Sequence, residues 1–240
     1  METLGGKQME WNYQGDRGPG NWKTICSAFY QAETESLQSP IALDDNQANL
    51  TISQYSLRFD YNRTLFESSF FNHTVHLSPK TNEKVNFVTF KHKKYFLEDL
   101  HFHLPSEHEI NQESFPLEFH LVHRSVKNDL LVVGVTVLPS ERPMNTTLAA
   151  IDEKALHPRI AERGLTVPIE LSRLLPEKKQ FYHYTGSLTT PPTSGPVDWI
   201  VFRHQTYMRQ GLLQAFKRNV GKTNRPLQPR SDRPIYLSDC

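Results

Sequence analysis

The stretch from Leu97 to His123, LEDLHFHLPSEHEINQESFPLEFHLVH, constrains this chain more than any other. Successive side chains of a β-strand point to opposite faces. Read as a strand, its first part places His101 and His103 on one face with Leu97 and Asp99, while Phe96, Leu100 and Phe102 line the other. The second part repeats the pattern, with Glu118, His120 and Val122 on one face and Leu117, Phe119 and Leu121 opposite. Apart from Glu98, the faces away from the histidines are apolar and read as core. Pro105 to Phe115 is polar enough to be a connection, so the two runs are expected to be neighbouring antiparallel strands. A His-x-His pair with a third histidine across the ladder offers three imidazoles to one side of a tetrahedral ion. The fourth position stays open, as in a catalytic rather than a structural zinc site.

A lone strand histidine is more often hydrogen-bonded or solvent-facing than a ligand. The coincidence of two such runs, each with a carboxylate two residues before a histidine, is what points to a metal. Glu118 beside His120 and Asp99 beside His101 are each suited to accept the ring N–H that a ligating histidine leaves free.

The chain has 240 residues, enough to bury a sizeable core without covalent staples. Lys plus Arg number 27 against 26 Asp plus Glu, a formal charge of +1. No electrostatic footprint for nucleic acid or an anionic membrane results, so a small-molecule substrate is expected. No run reaches the length of a membrane-spanning helix, and METLGGKQMEWNY lacks the apolar core of an export signal. A cytoplasmic location is the expectation, or a periplasmic or secreted one if a leader has been removed. Cys26 and Cys240 lie near opposite ends; the simplest reading is two free thiols, and a terminal Cys240 would also allow a homodimer.

The remaining chain reads as mainly β. Trp11 to Trp22 mixes aromatics with Gly and Pro and is expected to be an irregular, non-helical arm pinned by its rings, with 1–10 looser still. Gln54 to Tyr61, Asn72 to Leu77 and Lys84 to Phe90 alternate like strands, and a regular strand at Asn72 would separate His73 and His76 onto opposite faces, both at the surface. Leu130 to Leu138, LLVVGVTVL, predicts a strand buried on both faces beside the metal strands. Helices are expected over Asn145–Leu156 and Gln205–Arg218, the second ending at Gly221. The Gly-, Pro- and Thr-rich loop within Tyr182 to Val201 is a place for chemistry. No linker or repeat interrupts the chain, so 1–240 is read as one domain.

Taken together, these stretches closely resemble the α-class carbonic anhydrases. The resemblance is carried in order by Trp11-x-Tyr13, Gly18-Pro19 and Trp22, then by Gln38-Ser39-Pro40-Ile41 and Asn72-His73-Thr74-Val75. It continues through His101-x-His103, Ser106-Glu107-His108 and Glu118-x-His120-Leu121-Val122-His123. Gly186-Ser187-Leu188-Thr189-Thr190-Pro191-Pro192, Trp199 and Arg225-Pro226-x-Gln228-Pro229 complete it. It implies an α+β fold of mainly β type, a central, twisted, mostly antiparallel sheet with short surface helices. The implied activity is reversible hydration of carbon dioxide to bicarbonate and a proton by zinc-held hydroxide, with sulfonamide inhibition a family property.

The resemblance makes His101, His103 and His120 the zinc ligands, with Asp99 and Glu118 behind them. It makes Thr189 and Glu107 the pair that orients the attacking oxygen. His73 matches the proton shuttle, Tyr13 a tyrosine that orders intervening water, and His108 a structural histidine near Tyr184. Val122, Val132, Leu188, Thr190, Val197 and Trp199 match the substrate pocket, although their types alone fit ordinary core equally well.

This chain departs from the family at four places. Asp99 replaces the usual glutamine, Phe71-Asn72 replaces an Asn-Gly type pair before His73, and His76 stands where a small polar residue is common, making it a second candidate proton carrier. Thr193 occupies the position whose cysteine would pair with Cys26 in secreted members, so the usual bridge cannot form. Two other readings bear weighing. One is a carbonic anhydrase-like binding module, which the full histidine set with Glu107 and Thr189 opposes. The other is a cupin-type metal oxygenase, whose flanking glycines are missing. A charged Asp99 implies a more electron-rich zinc and a less acidic bound water. Asp99→Gln is therefore expected to move the alkaline limb of the pH–rate profile to lower pH; an unmoved limb would refute the reading.

Overall fold

Short alternating apolar segments, closed off by Asn, Gly and Pro, make strands the main regular structure of the described residues. The computed structural model describes residues 10–30, 36–50, 57–80, 84–141 and 166–238. In chain order these hold β1 (Ala42–Leu43), β2 (Asn49–Leu50), β3 (Arg58–Asp60), β4 (Arg63–Phe71) and β5 (Thr74–Pro79). There follow β6 (Phe87–Phe90), β7 (Lys93–His103), β8 (Glu109–Ile110), β9 (Leu117–Ser125) and β10 (Leu130–Ser140). The last are β11 (Thr166–Glu170), β12 (Phe181–Gly186), β13 (Val197–Phe202), β14 (Thr206–Arg209) and β15 (Tyr236–Ser238).

Thirteen of these form one twisted sheet with the main path β11-β4-β5-β7-β9-β10-β13-β12-β15-β2, joined by β14 on β10 and by β3 on β6, which pairs β7; β1 pairs β8 separately. The pairs from β4 to β10 along this path are antiparallel, whereas β10 runs parallel to both β13 and β14. The mainly β, mostly antiparallel expectation holds. β7 and β9 are neighbours, and His101 lies directly opposite His120.

Two apolar layers flank the centre of the sheet. Beneath it, Leu100, Phe102, Leu117, Phe119, Leu121, Val133 and Val135 join the main core. The helix Gln210–Asn219 closes this side through Leu213 and Phe216, whose ring lies 4.7 Å from that of Phe102. Each fully buried side chain of this size contributes about 1.5–3 kcal/mol. Above it, Ile41, Val132, Tyr184, Val197 and Trp199 form a second cluster on the histidine side.

Several local expectations are corrected. Leu97 packs in the main core rather than on the histidine face, because a β-bulge between Leu97 and Asp99 switches the alternation. Asn72 and His73 are not strand residues but a two-residue hairpin turn between β4 and β5, both at positive φ. His76, expected at the surface, is buried. The arm from Trp11 holds two 3-10 turns, Gly15–Arg17 and Pro19–Asn21, and a helical turn at Trp22–Ile25, although its rings do pin it: Trp11, Tyr13 and Trp22 are buried together. The second helix begins at Gln210, since Thr206–Arg209 alternates buried and exposed residues and pairs with β10. The helix expected at Asn145–Leu156, residues 1–9 and Cys240 lie outside the described residues. Among those described, Cys26 is a free thiol, and no helix is long and apolar enough to cross a membrane.

His123 continues the core face of β9, where its Nε2 shares a 2.7 Å hydrogen bond with the Tyr61 hydroxyl. Burial pushes its pKa from 6.5 down to about 3. The unfolded chain therefore takes up a proton below the ordinary value that the folded chain refuses until far lower pH. The resulting stability is complete above pH 6.5 and is lost as the pH falls through about 3. Urea midpoints measured across this window should fall on acidification, and His123→Phe should flatten the dependence by up to one proton.

Candidate metal centre

Pairing across β5, β7 and β9 sets His76, His101 and His120 side by side in one row, with Gly134 of β10 next to His120. His103 lies two residues beyond His101 on the same face. His101, His103 and His120 present ring nitrogens within 4.8 Å of one another.

One nitrogen of each ring is already engaged. His101 Nδ1 donates to Asp99 Oδ2 at 2.6 Å, His103 Nδ1 to the Thr223 carbonyl at 2.6 Å, and His120 Nε2 to Glu118 Oε1 at 2.9 Å. The other nitrogens remain for a ligand, and His103 Nε2 is buried with no protein partner. Burial lowers the pKa of His103 well below the ordinary value and that of His120 to about 4, so both are neutral near pH 7, as ligation requires. Three converging imidazoles, one with an orphaned buried nitrogen, fit a zinc ion.

The partners of these rings differ in how they are held. Glu118 is fully buried and accepts N–H bonds from the Glu107 and His108 backbones, from His108 Nδ1 and from His120. Burial pushes its carboxyl up, but the charge and hydrogen bonds of His108 and His120 hold it well below the ordinary range. His108 in turn bonds the Tyr184 hydroxyl through Nε2 at 2.8 Å, as expected. Asp99 is shared: besides His101 it accepts from His76 Nδ1 at 2.9 Å. His76, read as a second proton carrier at the surface, is instead buried, with Nδ1 committed to Asp99 and its ring stacked on Phe71 and 4.8 Å from that of His101.

Glu107 accepts the Arg225 backbone N–H at 2.8 Å. Burial raises its pKa to about 8, against the opposing pull of that amide and of the Thr189 hydroxyl. Tyr13 is brought to the same region: burial and then the charge of Glu107 raise its pKa, and its hydroxyl has no protein partner. His73 stands at the hairpin turn, its Nε2 donating to the Trp11 carbonyl at 2.7 Å and its ring edge-on to Trp11 and Tyr13.

The expected apolar wall assembles from three strands. Val132 pairs with Val122 of β9 and with Trp199 of β13, Val197 is buried in the same cluster, and Leu188 packs against it. Trp199 lies 4.9 Å from His120, ring to ring, and donates its indole N–H to the Ser187 carbonyl. Thr190 is half-buried in the adjoining loop.

Two contributors escape a reading of side-chain types. Thr223 acts through a backbone carbonyl, which leaves no mark in sequence. Gly134 is different, for a glycine inside an apolar strand signals close approach. A Cβ there would stand 2.9 Å from Glu118 Oε1.

Comparison with known proteins bears on this geometry. The sequence profile of the eukaryotic-type carbonic anhydrase family matches residues 17–239. A carbonic anhydrase of Neisseria gonorrhoeae is 30% identical over 232 residues, covering 96% of this chain and 88% of that one. The α-carbonic anhydrase of Thermovibrio ammonificans, solved with the inhibitor sulfanilamide, superposes with a TM-score of 0.85 at 28% identity, covering 96% and 100% of the two chains. Dioscorin complexed with ascorbate superposes equally well, at 0.85 and 25% identity, over 96% and 98%.

Gly134→Ala should cost about 1–3 kcal/mol in urea unfolding, because the Glu118 carboxylate has to move. Gly20→Ala, which meets only open space, should be close to neutral and serves as the control.

Proposed function

This chain belongs to the eukaryotic-type carbonic anhydrase family, and from that premise we propose that it hydrates carbon dioxide reversibly to bicarbonate and a proton at a zinc ion held by His101, His103 and His120. The observation that carries the zinc reading is His103, a buried imidazole with Nδ1 committed to a carbonyl and Nε2 left without a protein partner. Such a nitrogen costs stability unless something completes it. When bound, zinc supplies the Lewis acidity that brings the pKa of water to about 7, the value established for this enzyme family. The whole of 1–240 is read as one catalytic domain.

The chain's own residues supply orientation, substrate binding and proton transfer. Thr189 donates a hydrogen bond to Glu107 and keeps a lone pair to accept one from the attacking oxygen, which aims it. A neighbouring positive charge favours the ionised form of Glu107, so a loaded site and an accepting carboxylate go together. Val122, Val132, Leu188, Val197 and Trp199, with Thr190 at their edge, offer carbon dioxide an apolar wall. His73 has Nε2 engaged with Trp11, which leaves Nδ1 to take the product proton and release it outward. The unpartnered Tyr13 hydroxyl suits a group that orders water along that path.

Dioscorin shows that one fold serves proteins under different names, so architecture alone does not choose an enzyme. The histidine trio together with Glu107 and Thr189 favours the enzyme over the binding module. Stopped-flow carbon dioxide hydration, with metal analysis, tests the proposal. One zinc per chain is expected, with activity lost to a chelator and restored by zinc. Thr189→Val should lower kcat/KM about 100-fold with zinc content unchanged. Full activity after complete zinc removal would overturn the mechanism.

A further inference from the structure

We propose that His76 is a positioning residue for the metal centre: through Asp99 it fixes the ring of His101, and so sets how tightly the site holds zinc. The inference rests on the zinc reading above and deepens it. His76 on β5 is the direct cross-strand partner of His101 on β7, and Asp99 lies two residues ahead of His101. Both imidazoles turn Nδ1 toward the same oxygen, Asp99 Oδ2, at 2.6 Å for His101 and 2.9 Å for His76. A carboxylate held by one N–H can swing about that bond; a second donor from another strand removes the freedom.

The need for such a clamp is particular to His101. His103 bonds a backbone carbonyl, and Glu118 behind His120 is pinned by two backbone amides. Asp99 has no such anchor among the described hydrogen bonds, and its Oδ1 is buried without a partner. His101 is also the most exposed ligand, with 14% of its side chain accessible against 0% for His103 and 1% for His120. His76 can serve as the anchor because it is itself buried and packed. It is 5% exposed and stacked on Phe71 with ring centroids 3.6 Å apart and planes 18° apart.

Packing does not explain an imidazole here. His76 Nε2 is buried with no hydrogen-bond partner, a penalty that a phenylalanine ring of similar outline would avoid. What the histidine adds is the bond to Asp99. Partners of ligating histidines commonly govern metal affinity in this way.

The test is zinc affinity of the full chain, measured by competition with a chelator of known strength. His76→Phe keeps the stack and deletes the donor; His76→Asn keeps an N–H near the Nδ1 position. His76→Phe is expected to weaken zinc binding about 10-fold, while zinc-free thermal stability stays equal or rises. His76→Asn should remain within about threefold of wild type, well inside the loss seen for a missing partner. In an Asp99→Ala background, His76→Phe should cost nothing further, because its route of action is gone. If His76→Phe does not fold, His76→Leu takes its place in the same cycle. Wild-type affinity in the donor-deleted variant, or an equal loss with and without Asp99, overturns the inference. A wild-type chain that fails to bind zinc overturns the zinc reading itself.

Discussion

The buried carboxylate of Glu118 is the interaction on which the rest depends. A charge removed from water is tolerated only when its lone pairs are used, and here four N–H groups use them. Two of those donors are backbone amides at Glu107 and His108. The group that orients His120 therefore also pins the start of the connection between β7 and β9, and with it Glu107. His120, the loop and Glu107 are placed by one network, and such networks lose more than the sum of their pairs when a member is removed. Gly134 is part of it by leaving room.

Much of this was readable from residue order, for a physical reason. Alternation on β9 and on the second half of β7 has a period of two that no other regular structure shares, so Phe102 and Phe119 on one face fix His101 and His120 on the other. The rule fails where the backbone departs from regularity. The bulge before Asp99 sends Leu97 into the core, and the tight turn at Asn72-His73 takes His73 out of the strand. Neither event has a side-chain signature here, since Asn-Gly marks a tight hairpin turn and Asn-His does not. Val132, Val197 and Trp199 look like any core residues in sequence, and only the pairing of β10 with β13 gathers them into the cluster whose Trp199 lies beside His120.

The side chains of the site are held in two different ways. His103 and His120 are buried and tied to backbone groups, directly or through Glu118. His73 is held differently, in a turn at positive φ and against the aromatic arm through the Trp11 carbonyl. A left-handed conformation costs a non-glycine residue energy that its surroundings must offset. The packing of Trp11, Tyr13 and Trp22 supplies that support, so the side of the site proposed for proton transfer relies on a segment far in sequence from the histidine trio.

The parallel seam between β10 and β13 has a consequence for the order in which the molecule comes into being. Parallel neighbours need a long crossover, and contacts of long sequence separation form late. By the time a ribosome has made Ser125, the hairpin of β7 and β9 already owns all three imidazoles. Thr189, Val197 and Trp199 have not yet been synthesised. A nascent chain thus holds all three candidate ligand imidazoles well before the Thr223 carbonyl that orients His103, or the Trp199 side of the cavity, exists.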